Sequence, residues 1–207
     1  MEIDRTSATP EHGPAARRLA LVGAVTVGFS FLYLASDVLE LIHGGFSTTQ
    51  LTLTYAAEVA IPFIVLALYA VQRPAIGSVG LVGALAYAYA FVFFTGTVVY
   101  ALVDHTSDWN ALTDRFGAWI TIHSAIMVVS GVIFGVATIR AGVLPRWTGA
   151  TLIIGMALMT IAVMLPDGAQ TTAAGVRDLA FAGMGASLLG SLGARRFGWP
   201  RLRVETA

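Results

Sequence analysis

The sequence contains no cysteine and no lysine. Without thiols it cannot build a disulfide framework, a thiolate metal site, an iron–sulfur cluster or a thiol redox couple. Charge is scarce too: 12% of the residues are charged, against about 25% in a soluble domain. Twelve arginines balance twelve acids, so neither the net positive charge nor the basic stripe that nucleic-acid binding needs is present. Also missing are the HExxH and HxxxH patterns, the G-x-S-x-G elbow and the Walker loop. Serine-based hydrolysis and nucleotide chemistry lose support, no cofactor is expected, and nothing in the histidine spacing requires a metal.

Hydrophobicity is what the chain has in quantity, at 57% of residues with a mean hydropathy of +0.77. About 20 apolar residues cross about 30 Å of hydrocarbon as a helix. Six stretches qualify, near 19–42, 51–71, 76–103, 118–139, 147–165 and 173–193. Runs such as Ile61–Val71 and Ile126–Ile139 are apolar on all sides and do not alternate, which excludes a membrane barrel. The expected fold is all-α, a polytopic transmembrane bundle of six spans. Residues 1–16 and 198–207 read as flexible flanks, and 17–197 as the transmembrane domain.

Six spans place both termini on one side. Arg5, Arg17, Arg18, Arg73, Arg140, Arg146, Arg195, Arg196, Arg201 and Arg203 collect there, while the opposite loops hold Arg115 with Asp108, Asp114 and Asp167. The positive-inside rule then makes both termini cytoplasmic and the protein a multi-pass component of the cell membrane. Tight inner connections at 72–75 and 141–146 make spans 2 and 3, and spans 4 and 5, antiparallel neighbours. Gly77, Gly80 and Gly83, Gly131 and Gly135, and Ala186 with Gly190 let helices approach closely; Gly131 and Gly135 also suit a homo-oligomer face.

The ionisable residues fall in the outer leaflet. Asp37, Glu40 and His43 lie in the last turns of span 1, Glu58 within span 2, Asp104 and His105 at the end of span 3, His123 in span 4, and Arg177 and Asp178 in span 6. Uncompensated charge at membrane depth costs several kcal/mol, so these groups are expected to converge on a shared polar pocket. Pro62 lacks the N–H that would bond the Glu58 carbonyl, which predicts a kink beside that carboxyl. Five embedded acids against Arg177 leave surplus carboxylate, so at least one is expected to keep its proton. Glu58 is the first choice of acid, with Asp37 or Asp104 as ionised partner. Aromatic density peaks nearby. Tyr33, Tyr55, Tyr89 and Phe93, with Glu40, His123 and Asp178, are the expected substrate-binding residues, their rings able to face a cation.

The turn Arg140-Ala-Gly-Val-Leu-Pro-Arg-Trp147 before an apolar span resembles one found in small six-helix bacterial membrane proteins of unassigned function, especially actinobacterium-like, arginine-rich sequences without lysine. That resemblance implies an architecture and no activity. More loosely, the size, helix count and membrane carboxylates beside aromatics look like the integral-membrane terpene cyclases. These protonate an epoxide or alkene of a prenylated substrate and guide the cation to ring closure. The resemblance implies acid-initiated chemistry on a lipophilic small molecule entering from membrane lipid, but no motif transfers a residue. Proton-coupled or cation transport is the alternative; it predicts a polar path to the cytoplasm, and the inner half offers no charged relay. A non-catalytic protein that binds lipid or a partner helix is the third reading.

Overall fold

The computed structural model describes residues 13–162 and 169–196. Among these residues there are seven helices and no strand: α1 (Pro14–His43), α2 (Thr48–Gln72), α3 (Gly77–Asp104), α4 (Trp109–Phe116), α5 (Ala118–Ala141), α6 (Arg146–Ala162) and α7 (Ala169–Arg196). Of the expected flanks at 1–16 and 198–207, residues 1–12 and 198–207 lie outside the described residues, as does Asp167, whereas Pro14–Ala16 belong to the first turn of α1.

Helix ends follow local chemistry. Pro14 opens α1, where its missing N–H costs nothing. The Ser47 hydroxyl accepts a hydrogen bond from the Gln50 amide at the start of α2, relieving an orphan donor of the first turn. Gly44 and Gly142 close α1 and α5 in the left-handed conformation, which costs glycine little. Helix α2 is assigned without a break through Pro62.

Four helices, α1, α2, α3 and α5, are long and apolar enough to cross a membrane. Helix α6 is apolar but shorter, at 17 residues. The six long helices form a closed ring: α1 packs on α2, α2 on α3, α3 on α5, α5 on α6, α6 on α7, and α7 returns against α1. Glycine permits the closest approaches. A Cβ on Gly23 would stand 2.8 Å from the Gly185 carbonyl, and one on Gly149 would stand 2.6 Å from the Gly135 carbonyl. Tyr87, Phe91, Phe134, Met156 and Met184 fill the centre. The periphery is apolar too: on α2, Phe63 is 71% exposed while Glu58 is 4% exposed. Water would reverse that arrangement, whereas hydrocarbon favours it.

Helix α4 was not foreseen. It caps one end of the ring, with Leu112 buried among Leu51, Val98, Ala101 and Ile120. Asp108 caps it, Oδ1 accepting from the Ala111 amide at 2.9 Å and Oδ2 from the Ser107 hydroxyl at 2.7 Å. These bonds, the Ala111 amide first, hold the Asp108 carboxyl below the usual carboxylate range. A depressed carboxylate stabilises the fold above its unfolded-state pKa of about 3.9 and loses that effect as pH falls through its folded value. The cap therefore survives mild acid. Asp108→Ala is expected to cost about 1 kcal/mol locally, read as faster amide exchange across α4 at pH 6 with no change in α2. Unaltered exchange in α4 would show that the cap contributes nothing.

Candidate functional site

Two stripes of polar residues on otherwise apolar helices build the site. On α2, Gln50, Thr54 and Glu58 recur every four residues, and on α1 Tyr33, Ser36 with Asp37, and Glu40 recur every three or four. Residues so spaced share one helix face. The two faces meet in the α1–α2 seam, where Tyr33 Oη donates to Glu58 Oε1 at 2.8 Å. Both residues lie about 15 Å along their helices from the α1–α2 loop, well inside the bundle.

Helix α7 closes the site from the other side. Arg177 Nε donates to Asp178 Oδ1 at 2.8 Å, and Nη2 lies at the same distance from that oxygen without hydrogen-bonding geometry. The guanidinium is 2% exposed. It sits between two rings, 4.6 Å from the centroid of Tyr33 and 5.6 Å from that of Phe91. Such cation–π contacts are worth about 2 kcal/mol or more once desolvated, and they hold the cation where water cannot. Asp178 faces Asp37 across the α1–α7 contact.

Three buried carboxyls thus lie in the region of one guanidinium, which pairs with Asp178. Asp37 Oδ2, Glu58 Oε2 and Asp178 Oδ2 are buried with no donor among the described groups. Orphaned charge in a low dielectric is costly. No three acidic or histidine side chains among the described residues meet as a metal cage. The space beside the cluster, lined by Tyr33, Asp178, Ser30, Phe29, Ile61 and Phe181 among others, is about 10 Å³. That holds about one water molecule.

The structure brings together Asp37, Glu58, Tyr33 and Asp178, with Glu40 half-buried one turn outward, and leaves the other expected residues elsewhere. Asp104 is exposed at the end of α3, accepting from Tyr100 Oη at 3.0 Å. Tyr55 points outward. His43 and His105 are exposed at helix ends. His123 is buried between α3 and α5 instead. It is stacked on Phe93 at 3.7 Å, with Nδ1 paired to the Trp119 carbonyl at 2.8 Å and Nε2 to Tyr89 Oη at 3.3 Å. The rings of Phe93, Phe94 and Phe91 contact one another in series between this group and Arg177, with Tyr87 against Phe91. Sequence reasoning missed Gln50, Ser36 and Thr54, although the four-residue stripe on α2 was there to be read. It also missed Phe91 and Tyr87 as neighbours of Arg177, for which no local signal exists. Comparison with protein-family models, with curated proteins and with solved structures finds no match for this chain.

Proposed function

We propose that the chain is an integral membrane protein of proton-linked transport, in which Asp37, Glu58 and Asp178 take up and release protons beside a fixed Arg177. The observation that carries this reading is the surplus of buried carboxyls, each with an unpartnered oxygen, one of them, Asp178, lining a space that admits about one water. Intramembrane carboxyls with such partners are the usual relays of proton-driven carriers.

The topology belongs to the same proposal: six crossings of the cell membrane, α6 and α7 included, with both termini cytoplasmic. Helices α6 and α7 pack lengthwise within the ring, and the charges of α7 at Arg177 and Asp178 are turned inside it, which removes the objection to burying that helix in lipid. Arg17, Arg18, Arg73, Arg140 and Arg146 mark the cytoplasmic end.

The test is proton movement into sealed proteoliposomes loaded with a pH-sensitive dye, driven by an imposed membrane potential. Protein-containing vesicles are expected to acidify faster than protein-free ones, and Glu58→Gln to lose about tenfold or more of that rate, the scale of one general proton-transfer group. Equal rates with and without protein, across proton and sodium gradients, would remove the proposal. Acid-initiated chemistry on a prenylated molecule is the second reading, favoured by the aromatic lining at Phe29, Tyr33 and Phe181. It requires the cavity to widen to the several hundred Å³ of a ligand pocket, about 300 Å³ at least.

A further inference from the structure

Four polar side chains in the α1–α2 seam have no part in the ionic cluster: Ser36 and Glu40 on α1, Gln50 and Thr54 on α2. Gln50 is at their centre. Its Nε2 is 3.0 Å from Thr54 Oγ1, 3.3 Å from Glu40 Oε2 and 3.4 Å from Ser36 Oγ, and the Ser36 and Thr54 hydroxyls bond to each other. Glu40, half-buried, faces the α1–α2 loop end. One turn inward of Thr54 on the same stripe of α2 lies Glu58, while Asp37, next to Ser36 in sequence, is turned toward Asp178. Gln50 is 2% exposed, yet its Oε1 has no donor.

On α1 and α2 the polar stripe stops short of the other end, where the buried Gln72 amide meets the Thr138 hydroxyl at 3.4 Å. The Ser30 and Thr26 hydroxyls donate to carbonyls of their own helix at 2.8 and 2.7 Å, and α2 carries no polar side chain from Ile61 to Leu68. Buried polar groups are expensive in a membrane unless they serve one another or a passing ligand. Hydroxyls both donate and accept, so they pass a proton along; a carboxamide holds its hydrogens and interrupts the relay.

We infer that the Glu40–Gln50–Ser36–Thr54 seam is the route by which protons reach Asp37 and Glu58 from the α1–α2 loop end, with the Gln50 amide as its gate. The inference rests on the proton-linked reading and deepens it. The route is lined for protons and single waters, and it excludes organic solutes. Swinging the amide away exchanges its three contacts for water and leaves a continuous line of hydroxyls and carboxyls.

The natural sequence has no cysteine, so one introduced thiol reports one position. Thr54→Cys is treated with silver ion, a thiol-reactive cation small enough to follow water, from either side of oriented vesicles in chloride-free buffer. Asn110→Cys marks the loop end and Arg73→Cys the opposite end, both exposed. With Gln50 present, the thiol at 54 is expected to react slowly and only from the side that labels position 110. Combined with Gln50→Ala it is expected to react about tenfold faster from that same side, the change that follows loss of one or two buried hydrogen bonds. Gln50→Met, which keeps the volume and removes the amide, gives the same acceleration should the alanine variant fail to accumulate. Labelling from the position-73 side, or from neither side in both Gln50 variants, overturns the route; equal rates with and without the amide overturn the gate. Thiol labelling needs no transport, so a route that is present while proteoliposomes show no proton movement would defeat the functional reading and leave the geometry standing.

Discussion

Arg177→Met is expected to be the most damaging single substitution in the chain, lowering unfolding free energy by about 3–5 kcal/mol. Among the described residues the guanidinium is the only buried arginine beside three buried acids, and it is held by Asp178 and by the faces of Tyr33 and Phe91. Removing it strands Asp178 in a medium where an unpaired charge has no water to turn to. The double variant Arg177→Met with Asp178→Leu replaces the pair by apolar groups of similar size, and most of the loss is expected to be recovered. Arg177→Lys keeps the charge but not the flat guanidinium that fits between two rings, so it falls between wild type and Met. Reversible denaturation in mixed micelles measures all three. A double variant as unstable as the single would show that Arg177 matters for packing and not for charge.

The second large effect is expected at Gly155. A Cβ there would stand 2.8 Å from the Arg177 amide nitrogen and 3.0 Å from its Cα. Backbone cannot swing aside as a flexible side chain can, so Gly155→Val has to push α7 away from α6. Overpacking of this kind costs about 1–3 kcal/mol, and here it also shifts Arg177 and Asp178 relative to Tyr33 and Asp37. Lower thermal stability in detergent and slower proton movement are both expected. Gly28→Ala is the control: nothing lies within 4 Å of its added Cβ, and alanine favours a helix over glycine by about 0.5–1 kcal/mol. If Gly155→Val behaved like Gly28→Ala, the close α6–α7 approach would not be what seats the ionic cluster.

Much of this architecture was legible along the chain. Length and apolar content determine α1, α2, α3 and α5, because a long run of apolar residues has few other ways to satisfy its backbone. The four-residue recurrence of Gln50, Thr54 and Glu58 marks the inward face of α2, and the neighbouring acids Asp37 and Glu40 mark that of α1. Helix α4 was less visible, since its eight residues carry too few apolar positions to stand out.

Which charged residues meet was decided only by the tertiary structure. In water the apolar face of a helix announces its interior side; here the lipid face and the interior are equally apolar, so periodicity does not say which way Tyr55, Tyr89 or Phe93 turns. Asp104 and Asp178 are both acids near helix ends in the sequence, and only the return of α7 against α1 buries one of them beside Asp37 while the other stays exposed on α3. Sequence alone determined that acids would be embedded in apolar helices. The closure of the six-helix ring determined that three of them would lie in the region of a single arginine.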